Sequence, residues 1–381
     1  MGFGDPAPLP KSVLGFHRVL SPVAGVTCSP LCLGAMNFGD AWKDFMGECN
    51  KETAFEMLDY FHENGGNFID TANNYQNEES EQWVGEWMEK RGVREQIVLA
   101  TKFTTGFRNA TAPNALQSSF TGNSTKSLRT SVDASLKKLR TSYIDLLYVH
   151  WWDFTTSIPE IMKSLNTLAD QGKILYLGVS DTPAWVVSKA NQYARDHGMR
   201  QFAVYQGQWS AASRDFEREI TPMAADEGMA LAPWGALGGG NFKTEEQRKS
   251  NEGRNMFPAT ENQIAVSKVL EIMAQEKNTI MTSVALAYVL HKAPNVFPLV
   301  GGRKISHLKG NIDALSLKLS PDDVARIDKA TAFDLGFPIN FLFKGMQSPS
   351  YHPADLWLKK MASHIDAPPR IQPIEPREPP K

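Results

Sequence analysis

Cysteine, surplus positive charge and long apolar runs are all scarce in this sequence. Its 381 residues contain three cysteines, Cys28, Cys32 and Cys49. Three thiols cannot all pair, and the spacing of "CSPLC" resembles half a metal site, but no Cys/His pair follows at ligand spacing to complete it. Reduced, structural cysteines and no metal are the expectation. Forty Lys and Arg against 42 Asp and Glu leave a net charge of −2, and the pI is about 6.5. That balance argues against nucleic acid or an anionic membrane as the main partner. No run reaches transmembrane length, and the opening "MGFGDPAPLPKSVLGFHRVL" lacks the apolar core of a signal peptide. The sequons at Asn109 and Asn123 then read as chance matches, and a cytoplasmic location is expected. No G-x-G-x-x-G follows the first apolar run either. "LGAMNFG" has the wrong spacing there, so a Rossmann fold is not expected.

What is present is an alternation. From residue 31 the β-type runs are "LCLGAM", "NFID", "IVLATKF", "IDLLYVHW", "ILYLGVS", "FAVYQGQ", "MALAPWGAL" and "VFPLVGG". Several are apolar almost throughout, as parallel strands buried on both faces should be. Amphipathic helical patterns lie between them. One starts at Asn50, carries Phe55, Leu58 and Phe61, and stops at Gly65-Gly66. Another carries Leu128, Val132, Leu136 and Leu139, and a third runs from Ser157-Ile158-Pro159 through Ile161, Leu165 and Leu168 to Gly172. Further helices follow Thr182-Pro183, lead to Gly228, and start at the capping stretch from Ser320 to Asp323. Eight strand–helix units in series predict an α/β fold, a (β/α)8 TIM barrel, over residues 1–335. The polar segment "TTGFRNATAPNALQSSFTGNSTK" predicts a long loop over the mouth. Residues 336–381 form a C-terminal extension, proline-rich and expected to be mobile at its end. Its apolar stretch from Phe341 to Trp357 is expected to pack on the barrel.

In such a barrel, chemistry gathers at the C-terminal ends of the strands. Those ends carry Asp70 and Tyr75, then Lys102, His150, Ser180, Gln206, Trp234 and Arg303. Each alone has an ordinary structural explanation, such as a turn cap, a solvated lysine or a packed aromatic. The series is the signal. A phenol, with an unperturbed pKa of about 10, is a weak acid at neutral pH. A lysine ammonium beside it favours phenolate, and an aspartate keeps that lysine charged and fixed. A histidine can orient a carbonyl oxygen or share in the proton transfer. Together they suit donating a proton to an oxygen that gains negative charge, as when a carbonyl accepts hydride.

Two segments suit a dinucleotide. In "PWGALGGGNFK", comprising Trp234, Gly235, Ala236, Leu237 and Gly239 among others, glycines let backbone N–H groups approach a pyrophosphate, and the indole offers a stacking face. "GGRKISHLKGN" leads into a helix, and Arg303 and Lys304 supply cations suited to a 2′-phosphate.

The runs "NFIDTANNY", "LATKF", "LLYVHWWD", "LGVSD", "VYQGQWS" and "LVGGRKISHLKGN" resemble the aldo-keto reductase superfamily. The likeness is closest to its fungal aryl-alcohol dehydrogenase and norsolorinic acid reductase group, and spans about residues 15 to 335. It implies a barrel that uses NADP(H), with Tyr75 as general acid, Asp70 and Lys102 tuning it, and His150 orienting the carbonyl. It further implies cofactor contacts from Asp70, from Ser180 and Gln206 at the nicotinamide carboxamide, and from Arg303, His307 and Asn311 at the adenosine end. Asp181 departs from the pattern, standing where the family commonly has Asn. An ionised acid can accept a hydrogen bond but not donate one. The substrate implied is a small carbonyl compound or alcohol beside His150 and Trp151. An aromatic preference rests on that likeness and on Trp151, Trp152 and Trp209, and a role in secondary metabolism on the likeness alone. Two other functions compete. One is a cofactor-binding regulatory subunit with little turnover. The other is a barrel hydrolase pairing Asp70 with Glu78 or Glu79, which would leave Lys102 and His150 without a role.

Overall fold

The parallel strands that the alternation predicts run round a single sheet in chain order. In the computed structural model, residues 4–249, 258–346 and 351–380 are described. Residues 347–350 and 381 of the expected extension, and 1–3 and 250–257 of the expected barrel domain, lie outside them. A hairpin comes first, β1 (Arg18–Ser21) with β2 (Ala24–Cys28). The barrel strands follow: β3 (Cys32–Gly34), β4 (Phe68–Asp70), β5 (Val98–Phe103), β6 (Ile144–Val149), β7 (Ile174–Ser180), β8 (Phe202–Gln208), β9 (Ala230–Trp234) and β10 (Leu299–Val300). These eight are ordered β10-β3-β4-β5-β6-β7-β8-β9. The ring is completed where the Leu231 N–H donates to the Asn295 carbonyl and the Phe297 N–H donates to the Leu231 carbonyl, both at 2.8 Å. The fold is a (β/α)8 barrel.

The helices begin where the capping residues place them. The Asn50 side chain accepts from the Thr53 N–H to start Lys51–Glu63, and Ser157 accepts from the Glu160 N–H to start Ile158–Asp170. Ser320 and Asp323 form a capping box at Pro321–Asp328. Between helices and strands lies a continuous apolar layer, to which Phe61, Trp87, Leu128, Leu165 and Ile161 contribute. Inside the barrel a second cluster joins Phe68, Val98, Leu146, Val204 and Phe297 to Leu20, Ala24 and Cys28 of the hairpin. The hairpin therefore closes the floor of the barrel. The hairpin leaves no clear sequence pattern, because its strands are only four and five residues long and Val19 and Val23 face solvent. All three cysteines are free and buried.

The loop after β5 contains only one short 3-10 turn, Gln117–Ser119. It folds against the mouth, where the Thr105 hydroxyl accepts from the Trp151 indole N–H at 3.0 Å. Asn123 of the second sequon is fully buried there. At the C-terminus, Leu335, Ile339 and Phe343 form a small cluster with Phe333, Tyr351 and Leu356. The guanidiniums of Arg214 and Arg218 lie 4.5 and 4.7 Å from the Phe333 ring. Beyond it the tail crosses the barrel, with Glu375 paired to Lys318 at 2.9 Å and Arg377 4.7 Å from the Phe16 ring.

Candidate active site

Strand register brings the polar strand ends to one rim. Asp70 is level with Gly34 and Ala100, Lys102 with Tyr148, and Ser180 with Gln206. The Lys102 ammonium pairs with Asp70 Oδ1 and donates to the Thr71 carbonyl at 2.9 Å. The other oxygen of Asp70 accepts from Gln206 Nε2 at 3.0 Å. Burial pulls the pKa of Lys102 down, but Asp70 and Tyr75 together hold it above the ordinary lysine value. The lysine is therefore a fixed cation.

Tyr75 follows β4 by five residues, and the Lys102 Nζ lies 4.9 Å from its ring centroid. Burial raises the phenol pKa, while the charge of Lys102 and its hydrogen bond pull the other way, and the net result is above the ordinary value. From the sequence alone, the neighbouring cation of Lys102 is expected to lower it. The cation does act downward, but desolvation of a half-buried phenol next to the Asp70 charge outweighs it.

His150 stands across from Tyr75, ring edge to face, with centroids 5.8 Å apart. Its Nδ1 is 3.3 Å from the Thr105 hydroxyl. Burial, reinforced by Lys102, lowers its pKa from 6.5 to about 3, so the imidazole is neutral at physiological pH. Such a ring can present Nε2 to a ligand as donor or acceptor.

On the other side, Ser180 and Gln206 are buried at the ends of β7 and β8. Asp181, at φ +41°, accepts from the Trp234 indole N–H at 3.4 Å. The loop after Trp234 takes left-handed backbone at Gly235, Gly238, Gly239 and Gly240. Ala236 is buried within it and Leu237 half-buried. Arg303 and Lys304 lie just before the helix Ile305–Asp313, which carries His307 and a buried Asn311. Among the described residues no carboxylate pairs with Arg303 or Lys304. The two cations depress the pKa of His307, after the larger effect of burial. An uncompensated cationic group at a helix start fits an anionic ligand group. Arg303 packs directly over Gly47, where an added Cβ would stand 1.6 Å from Nη1.

The tryptophans fall differently from the expectation. Trp209 is fully buried, stacked on Phe216 at 5.3 Å and donating to Glu217 at 3.1 Å. Trp152 is also in the core. Both are packing residues, which leaves Trp151 at the mouth, 36% exposed. Trp42, unremarked in the sequence, stands 6.2 Å from Tyr75 ring to ring. Its loop reaches the site through contacts some 34 residues apart in the chain, which no local pattern announces.

Fold and rim together define a (β/α)8 barrel protein with its polar site at the C-terminal ends of the strands. The sequence model of the Aldo/keto reductase family matches residues 30–332, and the chain belongs to that family of oxidoreductases. It is 56% identical over 374 residues to norsolorinic acid reductase A of Aspergillus parasiticus, covering 97% of this chain and 96% of that one. It is 50% identical over 376 residues to a norsolorinic acid reductase of Emericella nidulans, covering 98% and 97%. With an aryl-alcohol dehydrogenase of Pestalotiopsis microspora the identity is 54% over 370 residues, covering 96% and 94%.

Proposed function

We propose that the protein is an NADPH-dependent reductase of aldehydes or ketones, aromatic by preference, with Tyr75 as general acid. The observation that carries this reading is the stack of Asp70, Lys102 and Tyr75, in which a solvent-free ion pair presents its cation to a phenol. When bound, the cofactor supplies hydride to the carbonyl carbon. The protein's part is the proton. Tyr75, a phenol protonated at neutral pH and held so by burial, gives its proton to the carbonyl oxygen as charge develops there. Lys102, held cationic by Asp70, stabilises the phenolate that remains. Neutral His150 orients the carbonyl through Nε2, with Thr105 fixing the ring from Nδ1.

The cofactor would be held along the rim. Ser180 and Gln206 suit the carboxamide, since Gln206 commits its amide N–H to Asp70 and keeps its oxygen free to accept. Asp181 can accept from the same carboxamide while it positions Trp234. The backbone from Gly235 to Gly239 suits the pyrophosphate. Arg303 and Lys304, with His307, suit the 2′-phosphate, and Asn311 the adenosine. Trp42 and Trp151 give the mouth two aromatic walls, in keeping with the aromatic compounds in the names of the relatives. A place in fungal secondary metabolism follows from the likeness to norsolorinic acid reductases. A cytoplasmic location also belongs to this reading; among the described residues no helix is long and apolar enough to cross a membrane.

The test is an absorbance assay of NADPH oxidation with an aromatic aldehyde. Turnover supports the reading. Cofactor binding without turnover of aromatic or aliphatic carbonyls would favour a cofactor-sensing regulatory subunit instead.

A further inference from the structure

Tyr75 is followed by three residues in the left-handed region, Gln76 at φ +52°, Asn77 at +50° and Glu78 at +84°. Side chains other than glycine rarely adopt this conformation, and it persists only where the surroundings over-determine it. Here they do. Gln76 is 1% exposed. Its Oε1 accepts from the Trp42 N–H at 2.7 Å and its Nε2 donates to the Met36 carbonyl at 2.9 Å. Asn77 Oδ1 accepts from the Trp42 indole N–H at 3.2 Å. Glu78 pairs with Lys138 at 3.0 Å and accepts from the Thr111 hydroxyl at 2.6 Å. Lys138 also donates to the Asn73 carbonyl at 2.9 Å, on the other side of Tyr75.

The loop after β3 is closed onto this turn. A Cβ at Gly39 would stand 2.3 Å from that of Gln76, so only glycine permits the approach. Glu79 holds the same loop by accepting from the N–H groups of Asp40 and Ala41, at 2.7 and 3.1 Å. If a bare turn were all that was needed, glycine would form it without strain. Instead the side chains of Gln76 and Asn77 are both committed to Trp42, which stands against the Tyr75 ring.

We infer that Gln76 is a positioning residue for Tyr75, clasping the first-strand loop to the turn that carries the acid. The inference rests on the reading of Tyr75 as proton donor. Gln76 touches no reacting atom and acts through the tyrosine.

The test uses the full chain and three variants, each measured for melting temperature, NADPH affinity, kcat and KM. Gln76→Gly relieves the left-handed conformation and deletes both hydrogen bonds. Its melting temperature should fall by less than that of Gln76→Met, because relieved strain offsets part of the lost bonding, and its cofactor affinity should hold. Its kcat should fall by about 10- to 100-fold, because misplacement of a reacting group by about 1 Å costs up to about 10²-fold. KM for the aldehyde should move much less. Gln76→Met keeps bulk and strain but no hydrogen bonds, and should lose the same kcat at a lower melting temperature. A wild-type kcat in either variant would overturn the inference. So would a joint fall of kcat, cofactor affinity and melting temperature in Gln76→Gly, which would mark a purely structural role. Tyr75→Phe separates the two readings. If it abolishes turnover while Gln76→Gly is unaffected, the clasp alone is wrong; if it retains turnover, the role given to Tyr75 is wrong, and the clasp falls with it.

Discussion

Lys102 and Asp70 form an ion pair closed to water, their side chains 0% and 2% exposed. A buried pair of this kind is a weak source of stability, because desolvation offsets most of the attraction. In the proposed mechanism its placement beside Tyr75 gives it a chemical role. Removing one partner should be far worse than removing both. Lys102→Met alone leaves Asp70 charged and unpaired, at a cost of about 3–5 kcal/mol. Adding Asp70→Asn should recover most of that loss without restoring carbonyl reduction. Denaturant titration alongside NADPH oxidation checks both halves, and an active double variant would contradict the role given to the cation.

His150 makes a pH prediction. Its pKa is about 3 in the folded protein against 6.5 for a free imidazole. Between those values the unfolded chain binds the extra proton, so stability falls as pH drops from 6.5 toward 3. His150→Gln should flatten that acid limb by up to one proton in the pH dependence of unfolding. In the wild type, kcat for reduction should show no histidine inflection between about pH 5 and 8, because the ring is neutral throughout. An inflection near 6.5 that vanished in His150→Gln would show that the imidazole titrates freely.

Much of this site was legible in the sequence for a definite reason. Parallel strands covered on both faces read as unbroken apolar runs, so Asp70, Lys102 and His150 at their ends interrupt the pattern visibly. What was not legible depends on contacts between distant segments. Trp42 stands beside Tyr75 on a loop bonded by Gln76, Asn77 and Glu79, while Trp209, which looks like a mouth residue in the sequence, turns inward to Glu217. The net pKa shift of Tyr75 likewise needed the burial around it. The sequence gives the neighbouring cation but not the desolvation.

Cofactor preference should reside in Arg303. Arg303→Ala should weaken NADPH binding by roughly 1.5–3 kcal/mol, or about one to two decades, and leave NADH almost unaffected. Fluorescence titration of both cofactors distinguishes this from damage to the loop, which would weaken both equally.

The C-terminal extension should divide in two. The final segment is tied by exposed pairs such as Lys318–Glu375, with side chains 72% and 75% exposed, and pairs of that kind contribute about 0–1 kcal/mol each. Truncation after Ala367 should leave the melting temperature nearly unchanged. Truncation after Leu335 removes the buried Ile339 and Phe343 and uncovers Phe333 and Leu335. Burial of each such side chain contributes about 1.5–3 kcal/mol, so this cut should lower stability or solubility. Equal melting of the two truncations would show the upstream segment to be an appendage.

Tyr75→Phe, which removes one hydroxyl from the rim, bears most sharply on the proton-donor role. NADPH affinity by fluorescence titration should be unchanged, while the single-turnover rate of aromatic aldehyde reduction should fall by about 10²–10⁴-fold. Reduction at the wild-type rate, with the cofactor bound as tightly as before, would contradict that role.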